Sequence, residues 1–369
     1  SLVDTVRGST FQARHLIDAL TCGEPLRLAR ALALEAGYQS AFTPAGRRQA
    51  AQLLRTATEL LGDRDAPGVH ALIAVTSQVA AYQEGHYEAC IDLAKQGDKV
   101  LQEGGVGLTW EMDSLRLYHV VSLANLGRVR ELHGLFLRYL RDARERGDRF
   151  HEATLCSESV FSVLAATGDI EQTRQYLDAA SVIWSRSGFT LVHFYVALQR
   201  AQVSLYEGDA PAALAGLLAS WPAIQRSQLL RVQRPRLEAL EMRARCLLAV
   251  GATGEKSALR AAKRMVRRIR MEDLSWSNAA ALLIEGQLAQ VKEDTTSAQV
   301  AYTAAAELFQ ANDQTLHAAV ANLRKAESQA TDQAAPARDE ALKTIAELGV
   351  ADPQRFARLL APVRLPAKT

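Results

Sequence analysis

Four stretches decide the fold: YQEGHYEACIDLA at 82–94, LANLGRVRELHGLF at 123–136, LAATGDIEQTRQYL at 164–177 and LYEGDAPAALAGLL at 205–218. Each places a glycine after one apolar helical run and before the next: Gly85, Gly127, Gly168 and Gly208, at intervals of 42, 41 and 40 residues. A glycine just past a helix takes the left-handed conformation at little cost, so it suits the hinge between antiparallel helices. The frame continues through Gly251 or Gly254 in AVGATGEKSALRA and through Glu293 in VKEDTTSAQVAYTAA. The opposite turns keep the same beat at Gly147 and Gly188, then at Glu272 and Asn312. Two turns in every period of about 41 residues predict stacked helix hairpins, an α-solenoid. Local patterning agrees. In LRLARALALEAGY, Leu26, Ala29, Leu32 and Ala33 share one helical face, and no β-branched run of period two exceeds a few residues. The fold class is all-α.

Two positions after each hinge stand Tyr87, Val129, Ile170 and Ala210; five after, Cys90, Leu132, Thr173 and Ala213; nine after, Ala94, Phe136, Leu177 and Leu217. This frame resembles the tetratricopeptide repeat, although its period exceeds the usual ~34 residues and Leu132 and Thr173 replace the expected Ala. The resemblance implies a right-handed solenoid of tetratricopeptide-like hairpins over 63–330. Capping or linker helices are expected at 1–62 and capping helices with a tail at 331–369. The first segment reads as three helices: one before Gly23, one from Glu24 or Pro25 to Gly37, one from Gly46 to Leu61. Near the other end, Asp352 is an expected N-cap with Pro353 at the first helical position, and LPAKT a frayed tail.

The 369 residues carry 43 Lys+Arg against 41 Asp+Glu, a net charge of +2, and are 48% hydrophobic. That is enough apolar content for a core and excludes global disorder. No apolar run approaches the ~18 residues of a membrane span, and the opening SLVDTVRGST, without Met or an apolar segment, reads as the start of a fragment of a longer protein. Cys22, Cys90, Cys156 and Cys246 are 68, 66 and 90 residues apart. They form no close pair, which suits a reducing cytoplasm, and each lies on an apolar helical stripe where a thiol packs as a small hydrophobe.

Chemistry-bearing motifs are sparse. GATGEKS echoes the end of a phosphate-binding loop, but Gly251 is too close, Glu255 replaces the last Gly and no strand precedes it. No kinase, GxSxG or HExxH signature occurs. His86 and Cys90, four apart, make at most half a metal site, so neither metal nor cofactor is expected. Trp184, Phe189 and Phe194 read as inter-repeat core. Tyr195, Leu198, Gln202 and Tyr206, counted back from Gly208, would face a concave groove where Tyr195, Gln202 and Tyr206 could bind an extended peptide. From Arg226 to Arg270 thirteen cations face three glutamates. The centre of this basic block is ALRAAKRMVRRIR, with Arg260, Lys263, Arg264, Arg267 and Arg268 opposite a stripe of Leu259, Ala262, Val266 and Ile269. It reads as a solvated or protein-docking face, with phosphate or nucleic acid as alternatives.

FQARHLIDALTCGEPLRLARALALEAGY, GLTWEMDSLRLY, WSRSGFTLVHFYVALQRAQVSLYEGD, WPAIQRSQLLRVQRPRLEAL and ADPQRFARLLAP together resemble the C-terminal helical region of large bacterial serine/threonine protein kinases with a central STAND/AAA-type ATPase module. The resemblance implies a cytoplasmic, non-catalytic sensor or regulatory arm that binds a protein or peptide ligand and signals to attached kinase and ATPase domains. A structural scaffold or oligomerisation module and a nucleic-acid- or phosphate-responsive arm are the alternatives. No membrane partner is expected.

Overall fold

Helix boundaries fall where local chemistry puts them. Glu24 accepts hydrogen bonds from the N–H groups of Leu26 and Arg27, and Pro25 opens the helix it caps. Thr43, Asp148, Asp294 and Asp352 cap later helices through their side-chain oxygens, each satisfying an N–H that has no intrahelical partner. In the computed structural model, which describes residues 5–104, 107–183, 188–329 and 334–363, these helices fall into two compact units. Among the described residues there is no strand.

The first unit holds residues up to Leu123 together with Ser227–Arg236. Its helices are α1 (Thr5–Cys22), α2 (Pro25–Ser40), α3 (Pro44–Leu61), α4 (Pro67–Glu84), α5 (Tyr87–Gly104) and most of α6 (Thr109–Leu126). Packing is between chain neighbours, with α2 against both α3 and α4, and Ala29, Leu32, Ala33, Ala57, Leu61, Val69 and Leu72 form a shared core. Against expectation, α2 runs through Gly37 to Ser40, and α3 starts at Pro44 because Thr43 rather than Gly46 supplies the cap. Arg234 also departs from expectation. It belongs to this unit, is 2% exposed, donates to Tyr82 O (2.7 Å) and Tyr87 Oη (3.1 Å), and lies 3.6 Å over the Tyr82 ring.

The second unit holds Ala124–Arg226 and Leu237–Thr369. It comprises α7 (Val129–Glu145), α8 (Arg149–Cys156), a π turn (Val160–Leu164), α9 (Ala165–Thr167), α10 (Ile170–Ile183), α11 (Leu191–Glu207) and α12 (Ala210–Arg226). Most of α13 (Gln233–Gly251) comes next, then α14 (Lys256–Arg270), α15 (Ser275–Val291), α16 (Thr295–Ala311), α17 (Thr315–Glu327), α18 (Ala335–Glu347) and α19 (Pro353–Leu360). Consecutive helices again pack as neighbours, as in an all-α solenoid. Gly127 and Gly168 have φ of +75° and +74°, with Gly85 and Gly208 alike, and Glu293 takes the same left-handed conformation at +61°. Gly254, not Gly251, is the left-handed residue of its turn; Gly147 and Gly188 are left-handed as well. Glu272 and Asn312 yield that role to Asp273 and Asp313, one residue on, whose short polar side chains tolerate it.

Packing in this unit also goes beyond chain neighbours. Helix α19 packs on α11 and α17, Ala351 N–H donates to Ala165 O (2.9 Å), and Gly127 abuts Leu316. The cause lies in α19 itself: Phe356, Ala357, Leu359 and Leu360 are buried along one side, and an apolar face of that density must find a partner. Phe194 is core, as expected, and Phe189 is half-buried, stacked 5.8 Å from His193; Trp184 and LPAKT lie outside the described residues. Cys90, Cys156 and Cys246 are buried, but Cys22 is exposed, off the core side of α1.

A Cβ at Gly127 would strike Leu316, whereas at Gly147 it meets nothing. Gly147→Ala should therefore lose about 1–2 kcal/mol, the left-handed penalty alone, and Gly127→Ala a further ~1–3 kcal/mol of overpacking, read from urea unfolding midpoints. Burial pushes the Cys90 thiol up to about 11 and those of Cys156 and Cys246 to about 12. A native titration with Ellman's reagent should therefore find Cys22 alone and gain the other three only in denaturant.

Candidate functional site

Four inner polar residues of the second unit recur at close to the repeat spacing. Gln202, Arg245 and Gln287 each stand six residues before Gly208, Gly251 and Glu293, at intervals of 43 and 42, and Arg324 comes 37 later on α17. Helix side chains tilt toward the N-terminus and share a face at fixed turn offsets, so α11, α13, α15 and α17 each contribute one.

Three of the four hold the main chain at the end of α19. Arg245 Nη1 donates to Leu359 O (2.5 Å), Arg324 Nε and Nη2 both donate to Ala361 O (2.9 and 2.6 Å), and Val363 N–H donates to Gln287 Oε1 (3.0 Å). The groups held belong to Leu359 in the last turn of α19, to its C-cap Ala361 and to Val363 just beyond, so the three side chains fasten the place where the helix ends. All three side chains are buried. Arg324 also pairs with Glu327 (2.5 Å) and Arg245 with Glu241 (3.2 Å), while the Arg245 Nε is buried with no partner among the described residues. The Oε1 of Gln202 is buried with no hydrogen-bond partner among the described residues.

Aromatic packing walls the same region. Phe356 meets Phe161 edge-on at 5.5 Å, Phe161 stacks on His317 at 6.1 Å, and Phe309 lies 5.3 Å from the same imidazole. Phe161 sits in the π turn, whose Val160 N–H is received by Gln199 Oε1 (2.8 Å).

Of the groove residues expected from sequence, Tyr206 is 1% exposed beneath the Arg355 guanidinium, 4.6 Å from its ring; burial and Asp352 raise its pKa. Leu198 is buried. Tyr195 Oη donates to Glu238 (3.0 Å) and its ring contacts Phe194. Only Gln202 keeps an unused polar group. Sequence reasoning placed Arg245 in the basic block and missed Gln287 and Arg324; the successive spacings of 43 and 42 residues from Gln202 were a signal for Arg245 and Gln287.

The basic block does not form one surface. Arg234 and Arg245 are buried and Arg236 donates to Leu230 O and Arg231 O in its own loop. Arg226 and Arg231 are exposed, and the continuous run of exposed cations is on α14. Ala258, Ala262, Val266 and Ile269 are buried with α13 and α15 and Leu259 packs at their edge. Lys256, Arg260, Lys263, Arg264, Arg267, Arg268 and Arg270 are exposed. Arg270 pairs with Glu285 (3.0 Å). His86 is exposed beside the buried Cys90. Among the described residues no cluster of His, Cys, Asp or Glu is placed to hold a metal ion, and no helix is long and apolar enough to cross a membrane.

Burial, with the charge of Arg245 second, pushes His317 down to about 3 from an ordinary value near 6.5. Below pH ~6.5 the unfolded chain protonates this imidazole and the folded one does not, so its contribution is complete above 6.5 and declines as pH falls toward 3. Against a His317→Phe variant, the wild type should lose about 1.4 kcal/mol more per pH unit below 6.5, measured by urea unfolding between pH 7 and 4. No protein-family model and no curated protein matches this chain.

Proposed function

We propose that the chain is a non-catalytic binding module whose polar row of Gln202, Arg245, Gln287 and Arg324 reads the main chain of a peptide at the end of a short helix. One observation carries the reading: Arg245, Gln287 and Arg324, all buried, already hold the main chain where α19 ends and the chain leaves it, at residues 359, 361 and 363. A right-handed, tetratricopeptide-like solenoid with a period of about 41 residues is the architecture proposed for it, supported by left-handed hinges at Gly85, Gly127, Gly168, Gly208 and Glu293. In such an array polar side chains at one turn offset line up across successive hairpins. The arm is proposed to serve a bacterial signalling kinase with an ATPase module, passing on occupancy as a choice between conformations through the ligand's differential affinity.

A protease site placed between Ala351 and Asp352 lets the chain fold intact before it is cut. A fluorescent peptide of sequence 352–363 should then exchange into the cut protein, and Arg324→Lys should weaken it at least tenfold, since an ammonium cannot make the paired guanidinium bonds. Failure of the peptide to enter, or equal affinity in the Arg324→Lys variant, removes the reading.

A further inference from the structure

Arg243 differs from the three buried arginines. Arg234, Arg245 and Arg324 each donate to a main-chain carbonyl. Arg243, half-buried on α13, lies with its guanidinium 4.5 Å from the Trp221 ring of α12, and its Nε is buried with no acceptor among the described residues. Its charged neighbours are cations: after burial, Arg268 and Arg264 of α14 lower its pKa. Neither Arg264 nor Arg268 makes an ion pair or hydrogen bond among the described residues, and at four residues apart they share one helix face. The three elements are held by a common core in which Leu214 of α12, Leu240 and Leu247 of α13 and Ala262 and Val266 of α14 meet. Three guanidiniums on a fixed frame, with no carboxylate paired to them among the described residues, leave one charge-assisted hydrogen bond unmade and mutual repulsion unrelieved.

We infer that Arg243, Arg264 and Arg268 form a binding site for a phosphoryl dianion, with the Trp221 indole as its wall. A tetrahedral dianion has enough acceptor oxygens for the Arg243 Nε and for a fork from each α14 arginine, and its charge relieves all three. Trp221 stacking holds the Arg243 plane and orients the fork. The site is separate from the peptide row and does not rest on it.

The test uses the full chain at constant ionic strength, with chloride replaced by inorganic phosphate, monitored by calorimetry and thermal unfolding. A saturable heat and a rise in Tm are expected. Arg264→Ala/Arg268→Ala, which changes exposed residues only, should weaken binding at least tenfold; Arg48→Ala/Arg55→Ala on α3 removes the same charge and should leave it unchanged. Arg243→Lys keeps the charge but loses the fork, and should also weaken phosphate at least tenfold. A phosphoserine peptide and its serine counterpart distinguish the sources. Binding of phosphate alone assigns a free anion; binding of phosphate and the phosphoserine peptide assigns a carried group. Equal response to phosphate and chloride overturns the inference, as does equal affinity in the α14 double variant. So does equal binding of both peptides, or tighter binding of a mixed-sequence DNA duplex than of the phosphoserine peptide, since either marks plain charge attraction.

Discussion

Arg324 is 2% exposed, and a guanidinium cannot shed its charge inside a protein. It is tolerated only with acceptors on its fork, and Ala361 O and Glu327 supply them. That requirement organises the second unit. Fixing Ala361 fixes the end of α19, which sets Phe356 against Phe161 and brings Arg355 over Tyr206. Removal of either acceptor would leave a buried charge uncompensated, a far larger loss than the pair contributes over an apolar replacement.

The first unit applies the same rule at another place. Arg234 inserts between Tyr82 and Tyr87 and donates to a carbonyl and a hydroxyl. Buried arginines here fasten main-chain carbonyls at helix ends: Tyr82 O, Leu359 O and Ala361 O. Helix α14 is the converse. Its cations remain in water, where each is inexpensive to keep, and only Arg243 at its margin is drawn partly out of solvent.

Features set by short stretches are legible in the sequence. The glycine hinges, the Asp352 cap and the α14 stripe each depend on residues within a turn or two, and the structure has them as read. The features that escape such reading depend on return packing. Nothing near Tyr206 announces that Arg355, about 150 residues on, will cover it. Arg245, Gln287 and Arg324 look like ordinary surface residues until α19 arrives to take their hydrogen bonds. Arg234 and Arg245 enter a basic surface only when proximity along the chain is taken for proximity in space. Cys22 lies on an apolar stripe whose far edge faces solvent.

The π turn at Val160–Leu164 carries a different kind of consequence. A π turn is an α-helix with one residue too many, and here the surplus is accommodated by Gln199, which receives the Val160 N–H. Loss of one residue from that run would restore ordinary winding and leave the helix on either side in register, while the residues of the run itself, Phe161 among them, move to new places on the helix face and away from His317 and Phe356. The aromatic wall is thus adjustable by a single-codon indel, a step that leaves every helix length nearly intact and yet exchanges which side chain faces the bound segment.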